Sequence, residues 1–144
     1  MIRQAQRGDL PAITGLASRL WPDATVPELE DSFSSLLSHS DAAVFLAFSN
    51  SQPVGFAQCQ LRHDYVEGTE NSPVGYLEGI YVEPSFRGRG IARQLLSAAE
   101  NWAREQDCRE FASDCELDNL ESLAFHLGVG FREANRIICF VKEL

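Results

Sequence analysis

At 144 residues, with 44% hydrophobic residues and a formal net charge of −9, the chain is sized for a single domain, residues 1–144, with a real core. The acidic balance argues against nucleic acid, whose phosphate backbone needs a basic footprint, and favours cationic small molecules as partners. No apolar run approaches the length of a membrane span, and Met1-Ile2-Arg3-Gln4 leads into no signal-peptide core, so the expectation is a cytoplasmic chain with no membrane partner.

Ile2 to Ala5 is a short first strand. Gly8-Asp9-Leu10-Pro11 starts a helix, with Asp9 as N-cap and proline in the first turn, where its missing N–H costs nothing. Leu10, Ile13, Leu16, Ala17 and Leu20 form its apolar stripe, and it ends at Trp21-Pro22-Asp23. Thr25 and Glu28 match a capping box, so a second helix follows, burying Leu29, Phe33, Leu36 and Leu37. Trp21, between the two helices, either packs over their junction or lines a substrate groove.

Ala42 to Phe48 and Val54 to Leu61 flank the turn cluster Asn50-Ser51-Gln52-Pro53, which predicts a hairpin. His63 to Pro73 is polar, with Asp64, Glu67 and Glu70 around Tyr65, and reads as an exposed loop long enough to do more than connect. Tyr76 to Val82 is rich in β-branched and aromatic residues and reads as a buried strand, broken by Glu83-Pro84. Ile91, Ala92, Leu95, Leu96, Ala99, Trp102 and Ala103 then recur at helical spacing.

Between that strand and helix lies Arg87-Gly88-Arg89-Gly90-Ile91-Ala92. Amides opening a helix lack intrahelical partners and face the positive end of its dipole, so an anion can sit there. The glycines let the backbone approach closely and the arginines add charge, which makes a phosphate or pyrophosphate the natural occupant. There is no Walker loop and no G-x-G-x-x-G.

Arg109 to Asp114 predicts a fifth strand ending in a carboxylate. Asp118-Asn119 opens a short helix carrying Leu120, Leu123 and Phe125, and Gly128-Val129-Gly130-Phe131 stops it. Ile137 to Val141 is expected to close the sheet. The four cysteines, Cys59, Cys108, Cys115 and Cys139, make no C-x-x-C and no zinc spacing; they are expected to be reduced thiols in or near the core, with no metal. The order βααββ, βα, βαβ is a mixed α/β (α+β) chain with helices on both faces of one sheet.

The pattern Arg-x-x-Gly-x-Ala, preceded by Ile80-Tyr81-Val82-Glu83-Pro84 and followed by Leu95-Leu96, resembles the acetyl-CoA signature of the GCN5-related N-acetyltransferases. The resemblance implies a mostly antiparallel, twisted sheet, splayed after the central strand. It also implies acetyl-CoA as cosubstrate, its pyrophosphate on the amides of Arg87 to Ala92 and its pantetheine along Ile80, Tyr81 and Val82, whose amides stabilise the oxyanion. Gly79 is well placed for the bulge of such a splay.

Acetyl transfer to an amine needs a base, and Glu78 and Asp114 are the candidates; a charge inside the strand at Glu78 is costly unless paired. By the family register Asn119 bonds the CoA arm or merely caps its helix, and His126 stands where a tyrosine is usual. A histidine there protonates the leaving thiolate or is a bystander beside water.

Leu20-Trp21-Pro22-Asp23, Tyr65-Val66-Glu67-Gly68-Thr69, Ser72-Pro73-Val74 and Phe111-Ala112-Ser113-Asp114 are similar to strings in the aminoglycoside 6'-N-acetyltransferases. That likeness implies an antibiotic-resistance enzyme with Trp21, Tyr65, Glu78 and Asp114 on the drug, and a homodimer in which Ile137 to Val141 pairs across the interface. Near Asn135, where those relatives carry a second acidic residue, there is only Glu133. The alternatives are acetyl transfer to a polyamine, a metabolite or a peptide N-terminus, or CoA binding without turnover.

Overall fold

The computed structural model describes residues 1–144. Five strands form one sheet: β1 (Ile2–Gln4), β2 (Ala42–Ser49), β3 (Gln52–Arg62), β4 (Val74–Val82) and β5 (Phe111–Ser113), ordered β1-β2-β3-β4-β5. The first four are antiparallel to their neighbours, and β5 pairs parallel to β4. Four helices accompany them: α1 (Leu10–Leu20), α2 (Val26–Leu37), α3 (Ile91–Glu105) and α4 (Leu120–Gly128).

The local signals act as their chemistry dictates. Thr25 and Glu28 close the capping box that starts α2, the Thr25 hydroxyl accepting from the Glu28 amide at 3.3 Å and the Glu28 carboxylate from the Thr25 amide at 2.9 Å. Asp9 precedes α1 but caps it with no side-chain bond; its carboxylate is held by the Arg3 guanidinium at 2.8 Å and by the Gln6 amide. The β2–β3 turn is only Asn50-Ser51, both at positive φ, so Gln52 and Pro53 belong to the strand.

Alternation in β2 divides the core. Val44 and Leu46 face α1 and α2, packing with Ile13, Leu16, Phe33 and β3's Phe56. Ala43, Phe45 and Ala47 face α3 and its buried stripe of Leu95, Leu96, Ala99, Trp102 and Ala103. Both faces of the central strands are therefore covered, and six consecutive β2 residues from Ala42 to Ala47 are buried.

Two features near the sheet's centre position the site. The β3–β4 register passes from Gln58↔Gly79 to Cys59↔Leu77, so Glu78 is the extra residue of a bulge. Gly79 beside it is required: a Cβ there would lie 2.7 Å from the Trp21 ring. The β4–β5 ladder stops at Leu77↔Ser113, leaving β4 from Glu78 to Val82 unpaired on that edge. This is the expected splay.

Two expectations are corrected. Ile137 to Val141 forms no strand; Ile137, Ile138, Phe140 and Val141 are 68–96% exposed, because composition alone does not make a strand and this run is hydrogen-bonded to neither edge of the sheet. Cys59 and Cys108 are buried, but Cys115 and Cys139 are exposed, on the loop after β5 and on that terminal run. Trp21 is half-buried, its ring 6.3 Å from Phe33 and 6.0 Å from Phe56. No helix is long and apolar enough to cross a membrane.

Candidate active site at the splay between β4 and β5

The turn before α3 has the properties that an anion site requires. Gly88 and Gly90 have φ of 75° and 79°, a region that L-residues rarely adopt, and Gly90 caps α3. No amide from Gly88 to Arg93 meets an acceptor within the protein. Arg87 bends back to donate from Nε to the Val82 carbonyl at 2.8 Å, and Arg89 donates to the Ser85 carbonyl at 3.1 Å. Both guanidinium groups are thereby held beside that row of unpaired N–H groups. Ile91 and Ala92 are half-buried against the α3 side of the core.

This turn and the open edge of Ile80, Tyr81 and Val82 are neighbours: only Glu83 and the 3-10 turn Pro84–Phe86 separate them, and Arg87 returns to bond the Val82 carbonyl at 2.8 Å. A ligand with a diphosphate and an extended amide-bearing arm fits both: unpaired donors for the phosphates and an unpaired strand edge for the arm.

At the near end of that edge Glu78 projects from the bulge, its side chain 22% exposed. Its partner is Arg62, the last residue of β3, which donates from Nε and Nη2 to Oε1 at 3.2 and 2.9 Å and from Nη2 to Oε2 at 3.1 Å. Asp114 lies one residue beyond β5 and accepts from the Tyr76 hydroxyl. Burial, then the bond to Asp114 and that carboxylate's charge, push the Tyr76 phenol well above its ordinary range, so it stays a donor. The Arg62 guanidinium lies 3.4 Å from the centre of the Tyr76 ring. Glu78 and Asp114 are thus linked through Arg62 and Tyr76.

His126 is fixed at both ring nitrogens. Nδ1 donates to the Ser122 carbonyl at 2.7 Å, and Nε2 is hydrogen-bonded to the Ser113 hydroxyl at 2.8 Å. That ties the imidazole to the end of β5, one residue before Asp114 in the chain, with Phe131 against its ring. Asn119 caps α4, its Oδ1 accepting from the Ser122 amide at 3.1 Å, which leaves its amide NH₂ free of protein partners.

Tyr65 is 78% exposed on the loop between β3 and β4, and its hydroxyl donates to Glu67 at 3.4 Å. The loop is pinned elsewhere: Val66 is buried against Val74 and Tyr76, and the Glu110 carboxylate accepts from the amides of Glu70 and Asn71 and from the Asn71 side chain. The bonds from Asn71 and from the Glu70 amide hold the Glu110 carboxyl below its usual range. Asn135 donates to Glu67 at 2.9 Å, so the terminal segment reaches the same loop. Trp21 covers Gly79, the residue after Glu78.

Sequence reasoning missed Arg62, Tyr76, Ser113 and Glu110. Arg62 had one available signal: it is the only basic residue in the two strands of which one carries Glu78.

The Acetyltransferase (GNAT) family model matches residues 10–131. An aminoglycoside N(6')-acetyltransferase type 1 of Stenotrophomonas maltophilia is 47% identical, over 99% of this chain and 93% of its own. The aminoglycoside N-acetyltransferase AAC(6')-Iy in complex with CoA superposes with a TM-score of 0.97 at 39% identity, covering 100% of this chain and 95% of that one. The same enzyme in complex with the bisubstrate analog CoA-S-monomethyl-acetylneamine gives 0.96 at 39% identity, covering 100% and 98%. With a family match running from the first helix to Phe131 and relatives aligned over nearly their whole length, this chain belongs to the GNAT family of acetyltransferases.

Proposed function

We propose that the chain is an acetyl-CoA-dependent aminoglycoside 6'-N-acetyltransferase in which the drug's amine attacks the thioester directly. The observation that carries this is the row of unpaired amides from Gly88 to Arg93 following the open β4 edge, with Glu78 at the other end of that edge. The curated relative at 47% identity supports the same substrate class.

The amides of the Arg87 to Ala92 turn from Gly88 onward hold the pyrophosphate, that of Arg87 being taken by the Pro84 carbonyl, and the free NH₂ of Asn119 is available to the pantetheine arm. The bound donor supplies an activated acetyl group. Glu78 accepts a proton from the incoming ammonium, which frees the nitrogen lone pair for attack. Those amides of the Ile80 to Val82 stretch that point away from β3 donate to the acetyl oxygen as it gains charge. The C–N bond forms, the C–S bond breaks, and the thiolate takes a proton from His126 or from water. Asp114, held by Tyr76, draws the drug's other ammonium groups, with Trp21 and Tyr65 as its walls. The product carries an amide where the drug had a cation. Losing that charge weakens a polycation's grip on a polyanionic target, and this is how the reaction confers antibiotic resistance.

The chain acts in the cytoplasm, where the acetyl donor is made, and as a homodimer. Support for the dimer is the apolar surface left bare by one copy, with Leu117, Leu120, Ile137, Ile138, Phe140 and Val141 all more than 60% exposed. Light scattering giving the mass of a single 16.0 kDa chain would refute the dimer.

The central experiment is thiol release from acetyl-CoA with kanamycin or tobramycin against spermidine and peptides. Turnover on 6'-amino drugs with little on the others is expected. No turnover on any such drug would overturn the proposal, and preference for spermidine would favour the polyamine reaction.

A further inference from the structure

Of the cations that form ion pairs in this chain, Arg3, Arg19, Arg87, Arg104 and Arg136 hold carboxylates that take no part in the chemistry above. Arg62 alone engages the carboxylates proposed to receive the amine. It binds both oxygens of Glu78 and lies over the ring of Tyr76, whose hydroxyl bonds Asp114. Its side chain is 43% exposed against 22% for Glu78, so it reaches the carboxylate from the solvent rim on a long, rotatable stem.

We propose that Arg62 is a specificity-determining residue: a tethered cation that occupies Glu78 in the free enzyme and is displaced by the ammonium of the acceptor. This rests on the amine-acetyltransferase function proposed above and sharpens its substrate class. A guanidinium makes a forked, charge-assisted contact with a carboxylate and a second contact with the aromatic face; a lone ammonium replaces it with a point charge. An amine bearing one charge therefore gains little from the exchange. An amine with several charges recovers the loss at Asp114 and at Glu67, whose carboxylate faces the same loop as Tyr65. The site selects polycations by making every acceptor compete with a resident one.

The test uses the full chain, tobramycin as polycation and 6-amino-6-deoxyglucose as an amine of single charge. The KM of the first and the inhibition constant of the second against tobramycin give a discrimination ratio. Arg62→Gln should lower that ratio by about fivefold, equivalent to one exposed ion pair, by improving the inhibition constant more than KM. Arg62→Lys, which keeps the charge but loses the forked contact, should fall between.

A merely structural role changes both constants alike. An unchanged ratio in Arg62→Gln, or a loss confined to kcat, would overturn the proposal. If Arg62→Gln does not fold, Arg62→Lys decides, and a ratio equal to that of the natural chain overturns it. Absence of tobramycin turnover in the natural chain would instead remove the function on which it rests.

Discussion

Replacing Gly90 by valine tests the anion site with little steric confusion. A Cβ at Gly90 meets no atom within 4 Å, so the substitution acts first through the backbone. The φ of 79° costs an L-residue about 1–2 kcal/mol, and a β-branched one toward the upper end. If the turn holds its shape, that strain appears as lost stability, roughly 3–8 °C in Tm for a chain of this size. If the turn relaxes, the amides from Gly88 to Arg93 no longer converge. Losing one or two charge-assisted bonds of about 1.5–3 kcal/mol each raises the acetyl-CoA KM by about tenfold to a thousandfold or more. The assay is thiol release over a range of acetyl-CoA at saturating tobramycin, with a thermal melt of the same sample. Gly15→Ala in α1, also open around its Cβ but with no positive φ, serves as control and should stabilise by about 0.5–1 kcal/mol. An acetyl-CoA KM within twofold of the natural chain in Gly90→Val, despite a lowered Tm, would refute the placement of phosphates on this turn.

Glu78→Gln should lower kcat by about a hundredfold or more while leaving acetyl-CoA binding intact by calorimetry; if Glu78→Ala and Asp114→Ala together leave transfer unchanged, neither is the base. Gly79→Ala should cost about 1–3 kcal/mol, since Trp21 at 2.7 Å must move from its packing on Phe33 and Phe56; urea unfolding followed by tryptophan fluorescence measures it, and an unchanged midpoint would be contrary. The Arg3 hydrogen bond, aided by the Gln6 amide and the charge of Arg3, holds the Asp9 carboxyl down at about 2. A depressed acid stabilises the fold above its unfolded pKa and loses that contribution as pH falls, so stability should drop between about pH 4 and pH 2 by on the order of 1 kcal/mol after solvent screening. Arg3→Gln should remove that part of the acid limb, and an identical limb would count against it.

What the sequence reveals of this fold is mostly what is local. Apolar spacing alone places α1, α2 and α3, because a stripe at 3.6-residue intervals must face a core wherever the core lies. The capping box at Thr25 is legible for the same reason, both its partners being three residues apart. The glycine turn is legible because few residues tolerate the φ found at Gly88 and Gly90. The contacts that tune the site are not local. Arg62 meets Glu78 across a strand pair, Tyr76 meets Asp114 38 residues away, and Glu110 reaches back 39 residues to Asn71. No periodicity reports such pairings. The terminal run shows the opposite failure: Ile137 to Val141 has the composition of a strand, but a strand also needs a partner edge, and composition is silent about whether the run meets one.

The early end of the β4–β5 ladder has a thermodynamic corollary. From Glu78 to Val82 the sheet has no partner on that side, and acetyl-CoA seated there, as proposed above, acts as a surrogate strand that makes the loaded protein the sturdier one. Its unfolding free energy should climb with the logarithm of acetyl-CoA concentration, by about 2.7 kcal/mol at one hundred times the dissociation constant. Hydrogen exchange along that stretch should slow in parallel, which ties the cell's acetyl supply to how long each copy of the enzyme survives.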